Sequence, residues 1–269
     1  MLQNRTVPRV EVLTPRTLDE ALRFKAEHPQ ALPIQGGTYV MVALNFDRTR
    51  PGTVLNLNEV SELRGWSREN GSLRLGAGLT YTEAMRGELA EALPALAEAS
   101  RTVGSPQIRN RGTIGGNLGT ASPAGDALPP LAIEGAEVEC ASVRGVRRLP
   151  LADFVTGVKR TALASDELIT AVHVTPSHAP QTFMKIGPRN AMVIAVVSLA
   201  VSAGEELRAS LGSASPRPVV VTAPREDASS FPELVAEAAA PIDDVRGTAA
   251  YRRHALLVLA RRALERTLV

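Results

Sequence analysis

The sequence predicts an α+β protein, and three observations carry that prediction. Short apolar runs of strand length are mixed with capped helical segments in small units. A stretch rich in proline, serine and histidine, TPSHAPQ at 175–181, interrupts the pattern and marks a linker, with a second domain beyond it. With 269 residues, 44% of them hydrophobic, the chain can build one large domain or two modest ones around buried cores.

Taken in order, residues 9–13 read as a strand and Thr14-Pro15 as a turn. Thr17 is placed to cap a helix reaching about His28, with Leu18, Ala21, Leu22 and Lys25 on one face. The apolar run at 31–34 feeds a Gly36-Gly37-Thr38 turn, and 53–57 reads as the next strand. Residues 72–75 alternate as a strand before Thr80-Tyr81-Thr82-Glu83, a capping box in which the threonine and glutamate satisfy each other's free backbone N–H groups. A helix across 94–99 leads into a glycine-rich window, and helix resumes after Asp126. Residues 136–148 and 167–174 alternate as strands, separated by a short helix at 151–155. Beyond the linker come two apolar runs at 192–203 and 207–211, a polar stretch at 222–230, and helices near 231–239 and 248–268. The last helix is amphipathic: Leu256, Leu257, Ala260, Ala263 and Leu264 share a face, and Arg252, Arg253, Arg261 and Arg262 are expected on the solvated one.

The window 103–126, VGSPQIRNRGTIGGNLGTASPAGD, holds the most unusual backbone chemistry in the chain. Gly112, Gly115, Gly116 and Gly119 are expected to let the main chain enter φ > 0 and approach a ligand closely, with Thr113, Asn117 and Ser122 adding hydrogen-bonding groups. Successive N–H groups in such a loop would form an anion nest suited to a pyrophosphate, and Asp126 could accept from sugar hydroxyls. The second cluster, Gln35-Gly36-Gly37-Thr38-Tyr39-Val40, follows a strand, so two loops could clasp one extended ligand. Neither cluster has the G-x-G-x-x-G order of a Rossmann site.

These two clusters resemble the FAD-binding medium subunit of the molybdenum hydroxylases, the xanthine dehydrogenase and carbon monoxide dehydrogenase group. The resemblance extends through GVKRTAL at 157–163, DEL at 166–168, FMKIGPRNAMVIAVVSLA from 183 and DDVRGTAAYRRHALLVLARRAL at 243–264. It implies a two-lobed FAD-binding domain of the vanillyl-alcohol-oxidase-like, PCMH type at 1–176, with lobes of about 1–57 and 58–176. A smaller α+β domain of the carbon monoxide dehydrogenase flavoprotein type would follow at 177–269. It further implies non-covalent FAD held by Gln35, Gly36, Gly37, Thr38, Tyr39 and Val40 and by Thr113, Ile114, Gly115, Gly116 and Asn117, with Val103, Ser122 and Asp126 beside the cofactor. Leu168 would pack on the isoalloxazine and Lys185 would stabilise negative charge on the reduced flavin. Gln35 and Tyr39 depart from the family's commoner Ala-Gly-Gly-Thr followed by a small polar residue. The implied role is electron relay beside a molybdopterin-binding large subunit and a small subunit carrying [2Fe-2S] clusters, with NAD or another acceptor receiving the electrons.

Composition bounds these readings. Cys140 is the one cysteine, so iron–sulfur clusters belong on other chains, and the histidines at 28, 173, 178 and 254 have no metal-ligand spacing. A net charge of +2 with dispersed basic residues gives no nucleic-acid footprint. The absence of an apolar leader and of any 18-residue apolar run predicts a cytoplasmic protein without membrane contact. The residues themselves leave two alternatives open: a self-contained flavin oxidase or reductase, and an assembly or sensing protein that binds a nucleotide without turnover.

Overall fold

The computed structural model describes residues 10–268. The first unit is a three-stranded parallel sheet of β1 (Glu11–Leu13), β2 (Leu32–Ile34) and β3 (Thr53–Asn56), in the order β1-β3-β2, with helices α1 (Leu18–Glu27) and α2 (Val40–Asn45) in the connections. Thr17 caps α1 as its sequence predicts, its hydroxyl accepting from the Glu20 N–H at 3.2 Å. The Ala21–Leu22–Lys25 face is buried, and the Lys25 ammonium donates to the carbonyls of Pro29 and Ala31 at 2.7 and 2.8 Å, tying down the chain that leaves the helix.

The second unit is a five-stranded antiparallel sheet in the order β4-β5-β10-β6-β7. Its strands are β4 (Trp66–Glu69), β5 (Ser72–Gly76), β6 (Glu137–Ser142), β7 (Gly145–Pro150) and β10 (Leu168–Val174). The expected single strand at 136–148 is a hairpin: the chain reverses at Val143-Arg144, where Gly145 takes φ +133°. Between β5 and β6 run six helices, α3 (Tyr81–Ala84), α4 (Gly87–Ala92), α5 (Pro94–Arg101), α6 (Pro106–Arg109), α7 (Ile114–Thr120) and α8 (Leu128–Ile133). They bury Leu79, Leu89, Leu96, Ile114, Leu118 and Leu131 against Leu73, Leu75, Val138 and Val172 of the sheet. The capping box forms, with Thr80 and Glu83 exchanging backbone bonds at 2.7 and 3.2 Å. Short helix α9 (Leu151–Phe154) leads into a two-stranded hairpin, β8 (Val155–Gly157) and β9 (Arg160–Thr161), which the sequence patterns do not reveal.

No strand or helix lies between Val174 and Gln181, and Gln181, the last residue of the proline- and serine-rich stretch, already begins the next strand. A four-stranded antiparallel meander follows, β11 (Gln181–Ile186), β12 (Val197–Ala203), β13 (Glu206–Gly212) and β14 (Val220–Pro224), packed under α10 (Phe231–Glu237) and α11 (Ala249–Thr267). β14 begins ahead of, and runs into, the stretch read as polar. Three groups fasten this sheet to the preceding helices. Glu98 of α5 accepts from the Thr182 hydroxyl and the Phe183 N–H at 2.9 and 2.7 Å. Glu134 accepts from the Gln181 side chain of β11, and from Ser177 just before it at 2.9 and 3.0 Å, and the Ser213 N–H donates to the Pro123 carbonyl at 2.7 Å.

One arginine departs from its expected place on the solvated face of α11. Arg252 is 2% exposed, donating to Asp244 at 2.5 Å and to the Ser213 carbonyl at 2.9 Å. Asp244 also pairs with Arg246 at 2.6 Å, and these guanidinium hydrogen bonds hold its carboxyl well below the usual carboxylate range. Asp244→Ala would leave the Arg252 charge buried and uncompensated, at a cost on the order of 3 kcal/mol. Chemical denaturation of the variant should show the loss, and an unchanged midpoint would remove Asp244 from the stabilising contacts.

Candidate functional site

The two glycine clusters meet in space. β2 ends at Ile34 and α2 begins at Val40, and between them the loop 35–39 lies against the segment before α7. A Cβ on Gly36 would overlap the Arg111 carbonyl oxygen and stand 3.2 Å from the Cα of Gly112. Only glycine allows that approach. Arg111 reinforces it, its Nη2 donating to the Gln35 carbonyl at 3.2 Å and to Asn58 Oδ1 at 3.0 Å. The Gln35 side chain packs tightly against Gly78, which also has no room for a Cβ.

The free backbone donors lie in the first cluster, whereas the sequence places the expected nest in the second. In the second, the Ile114 and Gly115 N–H groups donate to Leu79 and Ala77 at 2.9 and 2.8 Å, Gly116 to the Thr113 hydroxyl at 3.0 Å, and Asn117 to the Thr113 carbonyl at 3.0 Å. Those donors are spent on capping α7 and docking it to its neighbours. By contrast, the N–H groups of Gly36, Gly37, Thr38, Tyr39 and Val40 make no hydrogen bond to any described residue. Gly37 takes φ +73°, the left-handed conformation found in nests of backbone N–H groups.

The expected positive φ at Gly112, Gly115, Gly116 and Gly119 does not occur either; among the described glycines it is found elsewhere. Gly112 and Gly115 serve closeness instead. A Cβ on Gly115 would stand 2.6 Å from that of Ala77, and one on Gly112 would stand 3.1 Å from the Tyr81 ring. Gly116 and Gly119 are exposed on α7, presenting bare backbone. The left-handed residue is Ala121, at φ +44°, which ends the helix.

Beyond α7 the Asp126 carboxylate pairs with the Lys185 ammonium at 2.6 Å, and both side chains are more than nine-tenths buried. Lys185 also donates to the Thr102 carbonyl at 3.3 Å. Burial pushes the Asp126 carboxyl above its ordinary range, against the pull of the Lys185 charge, and it pushes the nearby Tyr81 phenol upward as well. Asp126 Oδ1 and Asn117 Oδ1 are buried without a protein donor. Buried acceptors are normally satisfied, so two orphans in the same segment are what a hydroxyl-bearing or N–H-bearing ligand would complete. The Asn117 amide lies against Gly125, and the Ser122 hydroxyl accepts from the Ala124 N–H at 3.3 Å.

Val103 is half-buried against the helical core, its carbonyl accepting from Arg109 at 3.0 Å. Leu168 begins β10. Its side chain is 2% exposed in a core cluster with Leu55, Leu57, Leu63 and Ala141. Three residues joined to the loops were missed in the sequence: Arg111 and Asn58, which link them, and Lys159, whose N–H donates to the Ala121 carbonyl at 2.9 Å. Arg111 and Lys159 lie inside the quoted motifs, but nothing in a sequence pattern signals that a side chain will reach 53 or 76 residues along the chain.

No group of three or more histidine, cysteine, aspartate or glutamate side chains is placed to hold a metal among the described residues, and no described helix is long and apolar enough to cross a membrane. Cys140 is fully buried, and burial pushes its thiol up to about 11, away from reactivity.

A family described as the FAD binding domain in molybdopterin dehydrogenase matches residues 8–177. The xanthine dehydrogenase FAD-binding subunit of Escherichia coli O157:H7 is 30% identical across 92% of each chain. The carbon monoxide dehydrogenase medium chain of Afipia carboxidovorans is 31% identical across 88% of each. Among solved structures, quinoline 2-oxidoreductase from Pseudomonas putida 86 superposes with a TM-score of 0.88 at 26% identity, covering 97% of both chains.

Proposed function

Because the chain belongs to the FAD-binding domain family of the molybdopterin dehydrogenases, we propose that it holds FAD in the groove between its two glycine segments and relays electrons within a molybdenum hydroxylase complex. The observation that carries this reading is the row of five uncommitted N–H groups from Gly36 to Val40, facing a segment pressed close by the absence of a Gly36 Cβ. A pyrophosphate bears negative charge and only acceptors, and backbone N–H groups satisfy it without a cation. The sugar and ribityl hydroxyls and the flavin N–H are donors, and the orphan oxygens of Asp126 and Asn117 are matched to such groups. The donor set thus fits FAD.

In this reading residues 36–40 bind the pyrophosphate, α7 offers bare glycine backbone for close approach, and Val103, Ser122 and Asp126 border the remainder. Lys185 acts through Asp126, holding its carboxylate in place. It also brings a positive charge near the flavin. The Leu168 side chain serves the core beneath. The site is built from the two lobes of a domain ending near 176, completed by Lys185 from the domain that follows. Bound FAD supplies a two-electron acceptor that can pass electrons on singly or as a pair. The partners are a molybdopterin-binding large subunit and an iron–sulfur small subunit, the acceptor is NAD or another electron acceptor, and the compartment is the cytoplasm.

The purified chain should carry, or take up, one FAD with flavin absorbance bands, and should pass electrons from NADH to an artificial dye while oxidising no organic substrate alone. Native complexes recovered with it should contain molybdenum and iron. A chain that binds no flavin sinks the site; a metal-free homo-oligomer that turns over a substrate unaided supports a self-contained oxidase instead.

Gly116 offers a local check. It is exposed, and a Cβ there would meet only the Thr113 hydroxyl, at 3.0 Å. Gly116→Val should therefore leave the fold within about 1 kcal/mol, the ordinary cost of a β-branched residue in a helix, while obstructing the ligand. Flavin content at least tenfold lower is expected, and full content in the variant would place the cofactor off this face of α7.

A further inference from the structure

Two contacts join the first glycine segment to the regions flanking α7, one near each end of that helix. At the first, Gly36 meets Arg111 and Gly112. At the second, the Lys159 ammonium lies over the Tyr39 ring, 5.5 Å from its centroid. Tyr39 starts α2 and is 42% exposed, and its side chain makes no capping bond. Lys159 sits in the turn of the β8–β9 hairpin, which the Ala121 carbonyl anchors to the end of α7. Between the two contacts lie the seven residues of α7, about 10 Å of helix.

We propose that Tyr39 and Lys159 form a clasp that closes over the bound dinucleotide and slows its release. The proposal rests on the reading of this groove as the FAD site. Lys159 is held at φ +55° and the Ala121 that receives its N–H is at φ +44°, conformations that residues with a Cβ adopt at a cost. The Lys159 ammonium makes no ion pair with a described carboxylate, so the ring face is its partner. A core contact would bury such a pair. This one joins two exposed side chains from separate loops, strong enough to bias closure and weak enough to open. A cation–π contact at an exposed site corresponds to about a two- to fivefold change in an equilibrium or rate.

The test measures FAD release from holoprotein by trapping the freed flavin with excess apo-flavoprotein. Tyr39→Leu and Lys159→Met should each raise the release rate about two- to fivefold. The double variant should release no faster than the faster single one, because the two side chains act as a unit. Tyr39→Phe, which keeps the ring, and Lys159→Arg, which keeps the charge, should release at nearly the parent rate. Flavin-free proteins should unfold at matching midpoints. Unchanged release in the single variants, a double variant equal to the product of the singles, or a Tyr39→Phe as fast as Tyr39→Leu would overturn the clasp while leaving the FAD site standing. Midpoints that fall in step with retention would overturn it in favour of a folding role. Failure of the parent chain to bind FAD would remove the site and the clasp together.

Discussion

Asp126→Ala is expected to destabilise the protein by about 3–5 kcal/mol, because it strips a counter-charge from a lysine that stays buried. Lys185 is 5% exposed and its other contact is one carbonyl at 3.3 Å, so nothing remains to offset the ammonium. The effect on FAD is obscured in that variant by the effect on folding. Replacing both partners with apolar residues of similar volume separates the two. Asp126→Leu combined with Lys185→Met should recover most of the lost stability, since a buried pair is often no better than a well-packed apolar one. FAD affinity should stay low, because the orphan acceptor Asp126 Oδ1 is gone. Urea denaturation and flavin titration read the two quantities independently. A single variant as stable as the parent would refute the buried-charge argument, and a double variant with parental affinity would refute the contact.

Gly36→Ala is expected to have the next largest effect. One methyl group would overlap the Arg111 carbonyl, a backbone atom with no rotamer to yield. Overpacking of this kind costs about 1–3 kcal/mol, and relieving it must part the two loops or turn the N–H groups of 36–40 out of line. FAD affinity should fall by tenfold or more. Gly52→Ala is the matched control, since a Cβ there meets nothing within 4 Å. If both variants bind FAD equally well, the close approach of the loops is irrelevant to the ligand.

Local chemistry was the most legible part of the sequence. The Thr17 cap and the Thr80–Glu83 box are written in adjacent residues, and both form as expected. The β4 segment, Trp-Ser-Arg-Glu, is mostly exposed, so no apolar alternation announced it; it becomes a strand by pairing with β5. Arg252 was misplaced because a helical wheel knows nothing of Asp244, which lies outside the helix and draws the guanidinium inward. The glycines show a deeper ambiguity. A missing Cβ permits either positive φ or close contact, and the letter G does not say which. At Gly112 and Gly115 it means contact, whereas at Gly37 it means a left-handed turn. The two clusters do come together, but their backbone donors differ: those of 36–40 are free and those of 114–117 are consumed within the protein. Leu168 could not be resolved from sequence at all, since a core leucine and a flavin-packing leucine look alike.

The division of the Asp126–Lys185 pair between distant stretches of chain has a consequence for how the protein is made. A ribosome adds about 5–20 residues each second, so Asp126 emerges several seconds before Lys185. In that interval Glu98 lacks the Thr182 and Phe183 donors and the Pro123 carbonyl lacks the Ser213 N–H. The nascent chain therefore has acceptors in its helical layer with nothing yet to receive, and water must hold them. Consolidation of the helical layer around Asp126 waits for β11 and the end of β13 to emerge and dock, so the buried Asp126–Lys185 pair is among the last contacts of the chain to form during synthesis.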